Sequence, residues 1–407
     1  MKIGIIGGGA SGLIAAIKAK NQNTEVIIFE RNKECGKKIL ATGNGKCNYW
    51  NDSQSLFHYE SSTPELLEYI INDYTEEKVL NLFNNLGIIP KIKNGYYYPF
   101  SNQASTIKKV LLDDIKRLNI KVENEFLVDN IELYNDKFMV VGNNKKIIVD
   151  KLILSTGSLA APKTGSDGMG LKFLKQFGHN IIKPLPALVQ LISEGSYLKD
   201  WNGIRTDVEV SLYENGKFIK SQIGEIQLTN YGISGICVFN LSNQVARGLD
   251  NGYDEIISIN FMPFLKDFEN AKEWFGSRTL VTNKNISDLL SSVLNDKLAN
   301  IILKESKVNI NKKFNELSDF EQQKIINNCI SFKINIKGTK TFEEAQVASG
   351  GVLLSELNLD TMESKLIKNL YTTGELLDIT GECGGYNLGV AWRTGYLAGI
   401  SAGDEND

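Results

Sequence analysis

The chain is poor in the residues that metals and disulfides need. Its 407 residues include two histidines, His58 and His179, and five cysteines, Cys35, Cys47, Cys237, Cys329 and Cys383, with no Cys-x-x-Cys pair. This leaves neither a disulfide framework nor a metal site, and it supplies a Ser-His-Asp triad poorly. Seven prolines, 42% hydrophobic and 23% charged residues describe an ordinary globular protein and argue against a disordered, fibrous or secreted one. No apolar run approaches the ~20 residues of a membrane span, and no basic leader or cleavage site precedes the first strand. We therefore expect a cytoplasmic protein with no membrane partner, bacterial by its abundance of Asn, Lys and Ile. A net charge of −3 exerts no global pull on nucleic acid, although a local basic face is compatible with it. The length exceeds a single core, so two or three domains are expected.

What is present begins at the N-terminus. Residues 2–6 read as a short buried strand that runs into Gly7-Gly8-Gly9-Ala10-Ser11-Gly12, a helix over 11–19 and a second apolar run, Val26-Ile27-Ile28-Phe29, ending at Glu30. In such a unit Gly7 permits a sharp turn, Gly9 lets a pyrophosphate approach, and Gly12 lets helix pack on strand. The helix N-terminus offers N–H groups and partial positive charge to a diphosphate. Glu30 can accept both ribose hydroxyls, and its charge disfavours a 2′-phosphate, so NAD or FAD is favoured over NADP. Gly7, Gly9, Ala10, Ser11, Gly12, Glu30 and Arg31 are candidate cofactor contacts.

Residues 36–48 carry few strand or helix signals and many donors, and read as a long cofactor-contacting loop. Lys38, Gly43, Asn44, Gly45, Lys46, Cys47 and Asn48 are its candidates. Helical spacing follows over 64–85 and 104–118, then strands around 121–128, 131–133, 137–141 and 146–149. A buried parallel strand over 152–154 ends at Ser155-Thr156-Gly157, where Thr156 and Gly157 are further candidates. Pro184-Leu185-Pro186 breaks the pattern and marks a domain boundary. Beyond it, 187–192, 207–213, 217–222, 224–227 and 255–261 alternate like antiparallel strands. Residues 286–303 and 319–330 turn helical, and 334–337 returns to strand. The expected division is a first part of a cofactor domain over 1–186, a β-rich domain over 187–262, a helical insertion over 263–330, a β-rich return over 331–344 and the rest of the cofactor domain over 345–407.

No second Gly-x-Gly-x-x-Gly occurs. Either any nicotinamide visits transiently, or the single site binds NAD alone. The C-terminal fifty residues bear on that choice. A strand ends at Thr373-Gly374-Glu375, and Gly384-Gly385-Tyr386-Asn387-Leu388 opens a last helix. This is similar to the late FAD signature of two-dinucleotide-domain flavoproteins. The helix N-terminus there would face the flavin pyrimidine and favour negative charge on the reduced ring. Gly374, Glu375, Gly385, Tyr386, Asn387 and Leu388 complete the candidate set.

Taken together, residues 36–48, Pro162-Lys163-Thr164-Gly165-Ser166-Asp167-Gly168, Leu228-Thr229-Asn230-Tyr231-Gly232-Ile233-Ser234-Gly235, Gly374-Glu375-Leu376-Leu377-Asp378 and Gly384–Asn387 resemble one bacterial flavoprotein family, the aminoacetone-oxidase-like or BaiN-like NAD(P)/FAD-dependent oxidoreductases. The resemblance covers essentially the whole chain. It implies an α/β fold: a discontinuous Rossmann-type FAD-binding domain with an inserted β-rich domain and a small helical bridging domain. Many relatives carry a glycine and an arginine where this chain has Asn44 and Lys46, and an acid where it has Met169.

The resemblance also frames the chemistry. The family is associated with oxidation of small aminoketones, reduction of steroid enones in bile-acid conversion and reduction of uridine in ribosomal RNA. The last two share hydride delivery to a carbon–carbon double bond conjugated with a carbonyl, plus one proton. Cys47 is the candidate proton donor, which requires a neutral thiol, while Tyr386 and Asn387 would orient substrate or flavin. Tyr231 and Ser234 are expected to face the flavin, His179 to cap a helix and Trp392 to pack in the core. The expected activity is FAD-dependent reduction of uridine in ribosomal RNA or of an enone such as a 3-oxo bile acid, with NAD(P)H as transient donor. The alternatives are an aminoacetone-type amine oxidase and a non-catalytic flavoprotein that binds RNA or a partner. Oligomeric state is not legible.

Overall fold

The computed structural model describes residues 1–72 and 76–404. Five short strands form a parallel sheet: β1 (Lys2–Ile6), β2 (Glu25–Phe29), β3 (Lys121–Glu123), β4 (Lys151–Leu154) and β5 (Leu370–Thr372), in the order β5-β4-β1-β2-β3. Runs such as Ile3 to Ile6 and Leu152 to Leu154 are apolar at successive positions because such strands are covered on both faces. Register sets their C-terminal ends level, with Ile6 opposite both Leu154 and Phe29 and Leu154 opposite Thr372. From that edge emerge the glycine turn, Glu30, Ser155–Gly157 and Thr373–Glu375. In open α/β sheets this is the edge that binds ligands.

Two helices lock the chain ends together. Helix α1 (Ala10–Ala19) and helix α2 (Tyr386–Gly403) meet backbone to backbone. A Cβ on Gly395 would lie 2.3 Å from the carbonyl oxygen of Ser11, one on Gly399 2.5 Å from that of Ala15, and one on Gly403 3.0 Å from that of Ala19. The i, i+4 spacing puts all three on one face. A three-stranded meander (Val128–Tyr134, Lys137–Gly142, Lys145–Val149) also belongs to this unit. Within the helical pattern at 64–85, a 3₁₀ turn at Pro64–Leu66 leads to helices Leu67–Asn72 and Glu76–Asn85, while 73–75 lie outside the described residues.

Contacts divide the chain into two compact units, residues 1–186 with 345 onward, and residues 187–344. The prolines at 184 and 186 do not break the strand pattern: Ile181–Ala187 is a strand paired with Val347–Val352. A two-stranded sheet has an unbonded edge at which a missing N–H is tolerated.

The second unit is a closed six-stranded barrel. Its order is Leu191–Ser193, Gly232–Ser234, Lys217–Thr229, Arg205–Glu214, Glu255–Asn260 and Phe332–Thr339, which returns to the first strand. Lys217–Thr229 is one strand where alternation suggested two, because Gly224 keeps its pairing with Val208. Helix Ile236–Asp250 departs from the β-rich stretch expected over 187–262, while Phe268–Thr282 lies within the helical insertion expected over 263–330. The first opens with Ile236, Val238 and Phe239, residues that read as strand. The single helix expected over 286–303 is two, since Asn295 caps a new helix at Asp296–Ser306 through the Lys297 N–H. The helices share one apolar cluster with the barrel, including Phe275, Ile302 and Ile325 with Val210, Ile257 and Ile334.

Glu255 is a buried acid of the barrel, opposite Glu214 in the ladder, and neither of its carboxyl oxygens has a hydrogen-bond partner. Burial, then the charge of Glu214, pushes its pKa up to about 8. A folded-state pKa above the unfolded one gives stability that is present at low pH and lost as pH rises through about 8. Glu255→Gln should therefore raise Tm by at least about 3 °C at alkaline pH, with the gain shrinking as pH falls and vanishing only below the ordinary carboxylate range, about pH 4. Equal gains at both pH values in thermal melts would contradict the assignment.

Candidate functional site

The glycines of the first turn divide their labour. Gly7 has φ +99°, and a Cβ there would lie 2.5 Å from the Ser155 carbonyl oxygen; one on Gly12 would lie 2.0 Å from the carbonyl oxygen of Gly7. The fold itself demands these two. Gly9 has φ −80° and ψ −164°, open to any residue, and a Cβ there would meet nothing nearer than the Ser155 carbonyl oxygen at 4.0 Å. Its lack of a side chain is explained by what must approach it. The first internal bond of α1 runs from Leu13 N–H to the Gly9 carbonyl, so the N–H groups of Ala10, Ser11 and Gly12 have no acceptor within the helix. Ser11 serves as a tie: Thr373 donates to its hydroxyl at 3.1 Å, and Thr373 and Ser155 share a bond of 2.8 Å. That buried chain joins α1 to the ends of β4 and β5.

Glu30 is buried behind the turn. It accepts Gly8 N–H at 2.9 Å on Oε2 and both the backbone and side-chain N–H groups of Asn32 at 2.7 Å on Oε1. Three bonds leave one of its lone-pair positions for a further donor. Arg31 is exposed, pairs with Asp167 and donates to the Gly165 carbonyl, so the 162–168 segment is fastened beside Glu30. Thr156 donates to the Gly157 carbonyl at 3.0 Å, and Gly157 has φ +71° with Ser166 close by. Both follow the end of β4, where Thr156 lies against Gly7.

The 36–48 segment is not a plain loop. A 3₁₀ stretch covers Lys38–Gly45, with Gly43 and Asn44 left-handed inside it and Gly45 and Cys47 also at positive φ. Gly43, Asn44, Gly45 and Lys46 are exposed. Lys38 is ion-paired with Glu375 at 2.6 Å, and the other Glu375 oxygen accepts Ala348 N–H. Lys37 donates to the Lys163 carbonyl. Cys47 is 0% exposed, so its thiol faces the protein interior. Burial raises its pKa to about 12, against the lowering effect of Thr42. The thiol is therefore neutral near pH 7.

The segment Asn48–Asn51 lies against the start of α2. A Cβ on Gly385 would fall 2.9 Å from Trp50 backbone, and Asn51 donates to the Gly384 carbonyl. The buried Asn48 Oδ1 and Trp50 Nε1 have no hydrogen-bond partner. At the α2 N-terminus the first internal bond is Gly389 N–H to the Gly385 carbonyl, which leaves the N–H groups of Tyr386, Asn387 and Leu388 without a helical acceptor. Leu388 is half-buried. The Asn387 side chain is committed to both backbone groups of Gly381, at 2.8 and 2.7 Å, and so braces the turn. The Tyr386 ring stacks on His58 at 4.7 Å and meets Tyr59 edge-on. Trp392 is buried in the core.

Sequence reasoning missed His58 and Glu382. They lie 324 positions apart, joined at 2.8 Å, and no local spacing relates them. His179 is a buried brace: one ring nitrogen meets Glu356 and the other Ser364, both at 2.8 Å. Among the described residues no cluster of three or more His, Cys, Asp or Glu side chains could hold a metal ion, and no helix is long and apolar enough to cross a membrane.

The open approach to Gly9, the unspent N–H groups at two helix N-termini and the unpartnered Asn48 oxygen fit a dinucleotide reaching from α1 to α2. Fold and site thus define a class, an FAD-dependent oxidoreductase of the Rossmann type. Within that class, the chain belongs to the HI0933-like protein Rossmann domain family, whose model matches residues 1–401. It is 35% identical to the 3-dehydro-bile acid delta(4,6)-reductase of Clostridium scindens over 99% of both chains. It is 26% identical to the ribosomal RNA dihydrouridine synthase of Escherichia coli, over 96% of this chain and 95% of that one. Its fold is similar to that of the 3-ketosteroid delta1-dehydrogenase of Sterolibacterium denitrificans, with a TM-score of 0.51 and 11% identity over 98% and 99% of the two chains.

Gly9→Ala separates the structural from the binding glycines. Its Cβ meets nothing closer than 4.0 Å, so the apoprotein should keep its Tm within about 1 °C while FAD affinity falls about tenfold or more, since blocking one close phosphate contact costs on the order of 1.4 kcal/mol. Unchanged affinity in a fluorescence titration would remove Gly9 from the site.

Proposed function

We propose that this chain reduces a carbon–carbon double bond conjugated with a carbonyl, using FAD recharged by transiently bound NADH or NADPH. The observation that carries this reading is the near full-length similarity to a reductase whose name specifies a 3-oxo group and double bonds at positions 4 and 6. Bound flavin would supply hydride transfer. The residues supply the rest. Gly7–Gly12 and Glu30 would hold the pyrophosphate and adenosine ribose, with Arg31, Thr156 and Gly157 closing that end. The Lys38–Glu375 pair would meet the ribityl chain beside Gly374. The 43–48 segment would border the ring system, and the α2 N-terminus, fixed by Gly385 and Asn387 and flanked by Leu388, would stabilise negative charge on it. The absence of a second glycine fingerprint from the sequence supports a visiting nicotinamide.

We assign Cys47 to shaping the 36–48 segment rather than to proton donation. Its thiol is neutral, as a donor must be, yet it has no accessible surface and sits where the backbone turns left-handed. For the substrate we favour a small apolar enone over ribosomal RNA. Phe57, 68% exposed, and Tyr96, 37% exposed, offer apolar surface beside His58 and Gly384, and a net charge of −3 gives no pull on a polyanion.

The test is anaerobic. NAD(P)H should bleach the FAD-loaded protein, and a 4-ene-3-oxosteroid should restore its colour with one equivalent of saturated product. Flavin reduction by aminoacetone with peroxide formation would favour an oxidase instead, and a two-dalton increment missing from ribosomal RNA of a deletion strain would assign the RNA substrate. Cys47→Ala should reoxidise within about threefold of wild type; a loss of 10²-fold or more, the range of acid catalysis, would return the donor role to Cys47.

A further inference from the structure

We propose that His58, oriented by Glu382, is the residue that delivers the proton in this reduction; the inference rests on the reductase reading. The two histidines of the chain are held differently. His179 is buried and both its ring nitrogens are spent, on Glu356 and on Ser364, whose oxygen also accepts from Leu366 and Ile367. His58 has one nitrogen committed and one available. Its Nδ1 donates to Glu382 Oε2 at 2.8 Å, while Nε2 has a 3.4 Å contact with the Ser53 hydroxyl, and the side chain is 23% exposed.

The backbone fixes this pair. Tyr59 and Glu60 pair with Gly381 and Thr380, and Glu382 N–H donates to the His58 carbonyl at 2.9 Å. The ladder sets the two backbones side by side, and the ring itself is held by its Nδ1 bond to Glu382 and its stack on Tyr386. It stacks on Tyr386, the first residue of α2, so it stands beside the helix end assigned to the flavin ring, with exposed Phe57 edge-on to it. Ser53 also bonds Tyr386, whose phenol is pushed up chiefly by burial and stays neutral. The other charged group near this phenol is Asp52. A carboxylate on Nδ1 keeps the neutral ring in one tautomer, leaving Nε2 as the working atom.

The step balances as follows. Bound reduced flavin would supply a hydride to the carbon β to the carbonyl, the π pair of the C=C would move to the α carbon, and that carbon would take the Nε2 proton of the imidazolium. His58 would be left neutral with its Nδ1–H still on Glu382, and a proton taken up from bulk solvent would restore Nε2–H. His58 is thus a catalytic residue and Glu382 a positioning one.

The test uses FAD-loaded protein reduced with dithionite and mixed with a 4-ene-3-oxosteroid. His58→Asn should slow flavin oxidation by the steroid about 100-fold, with FAD affinity and the rate of flavin reduction by NAD(P)H within about twofold of wild type. Free imidazole should restore His58→Ala at least tenfold, a rescue that a structural role would not give. In ¹⁵N spectra, neutral His58 should be the Nδ1–H tautomer in wild type and lose that preference in Glu382→Gln, whose oxidation by the steroid should also be slowed. Wild-type rates in His58→Asn, or an Nε2–H tautomer in the wild type, would overturn the proposal. Wild-type protein that no enone reoxidises would instead sink the reductase reading, and this step with it.

Discussion

The site depends on how closely α1 and α2 approach. Gly395, Gly399 and Gly403 present bare backbone to Ser11, Ala15 and Ala19, and no side chain separates the helices. Overpacking such a contact costs about 1–3 kcal/mol for each added group, so the stripe fixes the helices within a narrow range. Because α1 begins at the glycine turn and α2 ends the chain, this contact carries residues 7–12 and 385–388 into one site although nearly the whole sequence lies between them. The parallel sheet repeats the same economy. Its fifth strand is placed beside β4 from more than two hundred positions away, and the buried Ser11, Thr373 and Ser155 hydroxyls tie the seam.

Around that seam the charges are matched. Glu30 accepts backbone and amide N–H groups behind the turn, Lys38 and Glu375 neutralise one another at the start of the 3₁₀ stretch, and Asp167 holds Arg31. Each acid is thereby oriented by a partner rather than left to solvent. In the proposed site, positive character toward a bound dinucleotide would then come mainly from the two helix N-termini. Fixed dipoles of this kind need no reorganisation when charge develops.

How much of this was legible in the sequence depended on whether the cause was local. Strands β1, β2 and β4 are legible as apolar runs, and the glycine turn is legible because its spacing between a strand and a helix is a local pattern, whereas Lys121–Glu123 carries no such run. The Gly395–Gly403 stripe is not legible, since glycine inside a helix reads as a weakness until the facing helix is known. The burial of Cys47, on which its proposed role turns, is a tertiary property that its neighbours Lys46 and Asn48 do not show. Asn387 was recognised as important, yet its amide is consumed by Gly381. His58 and Glu382 escaped because only the pairing of two-residue strands brings them together. The prolines at 184 and 186 mark the boundary between the two units, but the strand that carries them is not legible, because the edge position that tolerates them is decided by the sheet and not by the residues.

The central claim is that the two ends of the chain build one site whose dinucleotide is FAD. Fluorescence titration of the apoprotein with FAD, NAD and FMN tests it most directly. FAD should bind one to one and at least about 100-fold more tightly than NAD, a gap of roughly 2.7 kcal/mol, with FMN weaker than FAD because it lacks the adenosine that Gly7–Gly12 and Glu30 would hold. NAD binding more tightly than FAD, or FMN binding as tightly, would contradict the account.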